Sequence, residues 1–181
     1  MLAQEQPRPL LEVKNLSQHF RLSRGHTVRA VNEVSFCIYP GEVYGLVGES
    51  GSGKSTVARA ITRLYRPTAG EIFFHDACIS GRLGREEKRL LGTKMQMIFQ
   101  DPMSSLNPSK KVLDIVAEGP DIFRMFRTRA QREEAVLQTL QQVGLSPEVA
   151  GRYPSQFSGG QRQRIGIARA LIMKPDLILA D

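Results

Sequence analysis

The chain has 181 residues, 41% hydrophobic and 24% charged, which is about one soluble globular domain and excludes a disordered chain as the default reading. Twenty-five Lys and Arg against 18 Asp and Glu give a net charge of +7, which favours phosphate-bearing partners or an anionic membrane surface without choosing between them. Trp is absent and no aromatic run is interleaved with Arg, so a base-stacking platform for nucleic acid has little support.

Further classes fall away on the same grounds. Cys37 and Cys78 stand apart with no CxxC, which argues against a disulfide framework or a zinc site and for a reducing compartment. The start MLAQEQPRPL has no apolar h-region and no stretch approaches about 18 apolar residues. Neither a signal peptide nor a membrane span is expected, and membrane association would go through a partner.

In chain order, residues 1–9 read as a flexible polar lead-in. LLEVKNLSQHF and VRAVNEVSFCIYPGE read as strands, the second with Ala30, Val34 and Phe36 alternating in part with polar positions. EVYGLV (42–47) reads as a third strand, followed by the glycine-rich GESGSGKST. VARAITRL follows as a helix, with Val57, Ile61 and Leu64 at helical spacing. GEIFFHDA and KMQMIFQ (94–100) read as further strands.

From 101 to 160 the chain turns helix-rich, entered through DPMSSLNPSK. Thr128 and Gln131 form a capping box before a helix that buries Val136, Leu140 and Val143, with Gly144 at its stop. A second helix is expected from about Gln161 to Met173, ended by Pro175, and LILAD closes the chain as a short buried strand with a carboxylate at its end. Strands separated by helices predict an α/β fold, a parallel-sheet core with an inserted helical region. The chain divides into 1–9, a β region and phosphate-loop core over 10–100, a helical part over 101–160, and the last helix and strand over 161–181.

Three stretches carry chemistry. Gly48, Glu49, Ser50, Gly51, Ser52, Gly53, Lys54 and Ser55 fit G-x-x-x-x-G-K-[ST] between a predicted strand and a predicted helix. Glycines let successive N–H groups turn around an anion, and the helix amino terminus adds a favourable dipole. Lys54 would reach the β- and γ-phosphates and the Ser55 hydroxyl would ligate Mg²⁺. A phosphate loop needs a second carboxylate at a neighbouring strand end, and Asp181 has that form. Finally, Ser158–Gln161 is a Ser-x-x-Gln capping box containing Gly159 and Gly160. Two glycines cost about 1 kcal/mol each at a helix start relative to Ala, and make sense if an anion must approach the backbone.

Taken together these elements resemble the ATP-binding-cassette (ABC) family: the phosphate loop at 48–56 through Thr56, Gln100 after an apolar strand, SGGQ at 158–161, and the Walker-B strand at 177–181. The wording of FQDPMSSLNP, RYPSQFSGGQRQRI and LVGESGSGKST is similar to the ATPase subunits of bacterial oligopeptide, dipeptide and nickel importers. The resemblance implies a P-loop fold with an N-terminal antiparallel β region and a helical signature subdomain, acting as an ATPase with ATP and Mg²⁺ as cofactors. It places Phe20 on adenine, Ser55, Gln100 and Asp181 around Mg²⁺, and Gln100 as the sensor of the attacking water. Ser158, Gly159, Gly160 and Gln161 would meet the γ-phosphate of a second cassette.

Implied partners are that second ATPase subunit, transmembrane permease subunits and, indirectly, an external solute-binding protein, at the cytoplasmic face of the bacterial inner membrane. The family's general base, a glutamate after the Walker-B aspartate, and its switch histidine are not in this sequence. His19, His26 and His75 lie upstream, where surface or strand-edge positions are expected. Loss of a general base costs about 10²–10⁴ in rate. The expectation is therefore a truncated ABC ATP-binding subunit that binds ATP weakly, hardly hydrolyses it, and is poorly soluble because a parallel-sheet edge is uncovered. The alternatives are a soluble ABC ATPase acting on nucleic acid, or a non-catalytic ATP-binding fragment.

Overall fold

A computed structural model describes residues 8–23, 25–101 and 105–181. Most of the expected lead-in, and Pro102 to Ser104 within the segment after Gln100, lie outside the described residues. The chain forms two compact units, one through Lys88 and the other from Arg89.

The first unit is built on an antiparallel sheet of order β2-β1-β3-β4, with β1 at Leu11–Ser23, β2 at His26–Ile38, β3 at Ala69–Phe74 and β4 at Ala77–Cys78. Leu11 and Val13 are buried and Glu12 between them is half-buried, the period-two pattern of a strand with one face on a core. At Asn15 the backbone turns left-handed and the register shifts, so that Leu16, Ser17 and Gln18 all become buried. β2 pairs with β1 along its whole length, from Leu11 opposite Ile38 to Ser23 opposite His26. β3 covers β1 only from Leu11 to Ser17. The hairpin therefore runs on past the sheet from residue 18 as a two-stranded ribbon. Helix α1 (Lys54–Ile61) packs on β1 and β2 through buried Val57, Ala60 and Ile61.

Two expectations fail here. EVYGLV is not a strand: no ladder among the described residues includes 42–47, and Val43 and Val47 are 98% and 94% exposed. A strand is a pairing rather than a property of one segment, and apolar side chains without a neighbouring ladder cannot order a backbone. Leu64 is likewise off the α1 face and exposed. The helix ends at Thr62, and Arg63 takes a left-handed conformation that breaks the spacing.

Helix α2 (Arg85–Lys94), which no expected element covers, leads from the first unit into the second. The second unit has a parallel pair, β5 (Met95–Ile98) and β6 (Leu177–Ala180), in the register Met95–Leu177 to Ile98–Ala180. Helices α3 (Val112–Ile122), α4 (Arg129–Gln142) and α5 (Gly159–Leu171) pack on one another, and 3₁₀ turns at Pro147–Gly151 and Pro154–Gln156 join the last two. The helix-rich middle is thus as expected. Val116, Val136, Leu140, Phe157, Ile165 and Ala168 belong to one buried cluster, with Val143 packed at its margin. Gly144 ends α4 with a φ of 74°.

The capping box at α4 is modified. Thr128 Oγ1 accepts from Gln131 N–H as expected, but the Gln131 side chain accepts from Arg127 N–H rather than from Thr128. Arg132 ties α4 to α3 through Asp114 and Asp121, and its bond to the Asp121 carboxylate leads in raising its pKa. β6 is a strand, but only Leu177 is buried; Ile178 and Ala180 are exposed because a single ladder covers one edge. Among the described residues no helix is long and apolar enough to cross a membrane.

Ile165 is fully buried in the helical core, whereas Arg132 makes half-exposed ion pairs. Ile165→Ala should therefore lower stability by about 2–5 kcal/mol, and Arg132→Ala by about 1 kcal/mol or less, read by urea denaturation.

Candidate nucleotide-binding site

The phosphate loop lies in the first unit between the unpaired 42–47 segment and α1. Two of its glycines are required by geometry. Gly51 and Gly53 have φ of 81° and 94°, the left-handed region that glycine occupies without cost. At Gly53 there is a second reason: a Cβ would collide with the carbonyl oxygen of Ala30 and approach Val31 Cγ2 at 3.5 Å. The start of α1 thus presses directly on the backbone of β2.

Because Gly53 is the N-cap residue, α1 begins with no side-chain cap. Helices α4 and α5 begin with Thr128 and Ser158, whose hydroxyls accept from N–H groups of the first turn, while α3 starts at Lys111 without a side-chain cap, as α1 does at Gly53. An uncapped helix start at a glycine loop is where an anion can serve as the cap. Lys54 completes the cradle. Its ammonium donates to the carbonyl oxygens of Gly48 at 2.8 Å and Glu49 at 2.6 Å, and to Ser52 Oγ at 3.3 Å. The cation is folded over the loop that it would share with a phosphate. Ser55 and Thr56 follow in the first turn of α1.

Phe20 sits on the ribbon part of β1, opposite Val28, with its ring 5.2 Å from that of Tyr65 and nearly perpendicular to it. Gln100 and Asp181 belong to the second unit, and the parallel register brings them to one end of it. Asp181 N–H donates to the carbonyl of Ile98, so the acid follows β6 beside the residues that lead from β5 to Gln100. Gln100 is exposed and lies two residues beyond β5 rather than closing it. The carboxyl ends of parallel strands are where such sheets place ligands.

Ser158 and Gln161 form a reciprocal capping box, with Gln161 N–H to Ser158 Oγ at 3.3 Å and Ser158 N–H to Gln161 Oε1 at 3.0 Å. Ile165, Ala168 and Ile172 are buried behind it, as the spacing predicts. Capping accounts for Ser158 and Gln161 but not for the glycines. A Cβ at Gly159 or Gly160 would meet nothing within 4 Å, so no packing among the described residues requires either to be glycine. The groove of about 790 Å³ between α3, α4 and the 147–151 turn, lined by Lys111, Asp114, Arg132 and Glu148 among others, contains none of the phosphate-loop or signature residues.

Residues 31–181 match the ABC transporter family. The chain belongs to that family. It is 55% identical over 172 residues to the oligopeptide transport ATP-binding protein OppF of Bacillus subtilis, covering 95% of this chain and 56% of that protein. To the dipeptide transport ATP-binding protein DppF of Lactococcus lactis it is 49% identical over 178 residues, covering 97% and 57%. The chain thus spans a little over half the length of these relatives. Among solved structures, the dimeric ATP-binding cassette MJ0796 bound to ADP and Pi superposes with a TM-score of 0.85 at 30% identity, covering 94% of this chain and 73% of that one. The expected α/β cassette fold is therefore the observed one.

Sequence reasoning identified the loop but missed Ala30 and Val31, which close beneath Gly53. No local pattern marks them, because the contact joins residues far apart in sequence. The same contact orders the effect of substitutions. Gly53→Ala should cost more than Gly51→Ala, since a Cβ at Gly51 meets nothing within 4 Å while one at Gly53 meets backbone. We expect about 1 kcal/mol for Gly51→Ala and at least twice that for Gly53→Ala, compared by thermal and urea denaturation.

Proposed function

We propose that this chain is the nucleotide-binding portion of an ABC importer subunit, which couples ATP binding and hydrolysis to uptake of peptides or a similar small solute. The observation that carries the proposal is the phosphate loop itself: an uncapped helix start, two left-handed glycines, and a lysine folded onto the loop carbonyls. The peptide assignment is supported by relatives that are named as oligopeptide and dipeptide transport ATP-binding proteins.

In this reading the N–H groups of 48–56 and Lys54 hold the triphosphate, and Phe20 lies on adenine. Ser55, Gln100 and Asp181 supply a hydroxyl, an amide and a carboxylate, which are the hard oxygen donors that suit Mg²⁺. When bound, the ion neutralises charge between the β- and γ-phosphates. Gln100 orients the attacking water.

Ser158, Gly159, Gly160 and Gln161 meet the γ-phosphate held by a second cassette paired head to tail. The open space at Gly159 and Gly160 supports this role, since an anion needs that access and packing does not. The helical region 101–160 bears on transmembrane permease subunits at the cytoplasmic face of the inner membrane, and an external binding protein delivers the solute.

Two substitutions separate the two halves of this reading. Lys54→Ala in the transporter subunit should weaken ATP binding by roughly 10- to 100-fold, the loss of a charge-assisted contact. Gly159→Glu should leave ATP binding by the separate subunit intact, because its side chain enters open space, yet lower turnover of the paired subunits by about 100-fold or more. Unchanged ATP binding by Lys54→Ala, or full turnover by Gly159→Glu, contradicts the assignment.

A further inference from the structure

The ribbon of β1 and β2 that carries Phe20 leaves the four-stranded sheet at Ser17, the last β1 residue paired with β3. Beyond that point a two-stranded ribbon is marginally stable by itself. An aromatic ring on such a ribbon has no fixed direction unless something outside it holds the ring.

The turn that follows α1 supplies two such contacts. Thr68 Oγ1 accepts the N–H of His19 at 2.9 Å, while the Thr68 N–H donates to the carbonyl of Ser17 at 2.9 Å. These two bonds continue the β1 ladder past the end of β3 and stop one residue short of Phe20. Tyr65, three residues earlier in the same turn, sets its ring against that of Phe20, with centroids 5.2 Å apart and planes 80° apart. That is a preferred geometry for two aromatic rings, and it restricts how each can rotate. Tyr65 is itself anchored to α1, since its N–H donates to the carbonyl of Arg59. Both rings are half-buried.

We infer that the turn of residues 65–68 is a brace that aims Phe20, with Tyr65 and Thr68 as positioning residues that set the base-contacting ring relative to the phosphate loop. The inference rests on the assignment of Phe20 to the adenine. The helix whose first turn carries Lys54 and Ser55 ends in the turn that holds Phe20. One rigid element thereby fixes the distance between the group that reads the phosphates and the ring that reads the base. Such pre-organisation strengthens binding by removing the cost of ordering the ring when nucleotide arrives. It acts on the base alone and leaves the phosphate cradle unaltered.

The test compares equilibrium binding of MgATP with that of magnesium tripolyphosphate, which has the phosphates and no base, to the full-length subunit and its variants. Tyr65→Ala should weaken ATP binding about three- to tenfold and leave tripolyphosphate binding unchanged. Tyr65→Phe, which keeps the ring, should bind both as the native protein does. Thr68→Val should shift ATP binding in the same direction as Tyr65→Ala, again without effect on tripolyphosphate.

Native-like ATP binding by Tyr65→Ala overturns the brace, and so does an equal loss of ATP and tripolyphosphate, which reports general damage to the unit. Phe20→Ala separates the two levels of the argument. If Phe20→Ala weakens ATP binding while Tyr65→Ala does not, the brace is wrong and the assignment of Phe20 stands. If Phe20→Ala leaves ATP binding unchanged, the assignment of Phe20 is wrong and the brace falls with it.

Discussion

The close approach of Gly53 to the carbonyl of Ala30 is the constraint on which the first unit depends. It seats the start of α1 on β2 with no side chain between them, and it requires a left-handed residue at the N-cap, which removes the side-chain oxygen that caps most helices. A helix start without a side-chain cap is one that an anion can complete, and the Lys54 ammonium stands over the same loop. The residue that lets the helix close on the sheet is also the residue that leaves its end without a side-chain cap.

The second unit solves a helix start in the opposite way. At α5 the Ser158–Gln161 box satisfies the first turn from within, and the buried stripe of Ile165, Ala168 and Ile172 anchors the helix behind it. Gly159 and Gly160 cost helix stability, and no packing among the described residues requires them. Helix α1 thus starts without a side-chain cap, whereas α5 is capped and carries two glycines in its first turn.

Much of this was legible in the sequence where the signal is local. The P-loop spacing, the Ser158 box, the α4 stop at Gly144 and the apolar periods of α4 and α5 all depend on neighbours within a few residues. Legibility failed where partners are distant. EVYGLV has the composition of a buried strand, yet Val43 and Val47 lie open because no described ladder includes them. Leu64 fits the spacing of α1, but the left-handed Arg63 ends the helix before it. Helix α2 went unassigned because its face is strongly polar, with only Leu91 buried. The contacts of Ala30 with Gly53 and of Tyr65 with Phe20 join elements that no pattern in either segment connects.

The most direct test of the account is a crystal structure of the subunit with a non-hydrolysable ATP analogue and Mg²⁺, read at Lys54 Nζ. The account predicts that the ammonium leaves the carbonyl oxygens of Gly48 and Glu49, which it now contacts at 2.8 and 2.6 Å, and bonds to β- and γ-phosphate oxygens held by the 48–56 backbone. A structure in which the triphosphate binds elsewhere, with Lys54 still on both carbonyls, would contradict it.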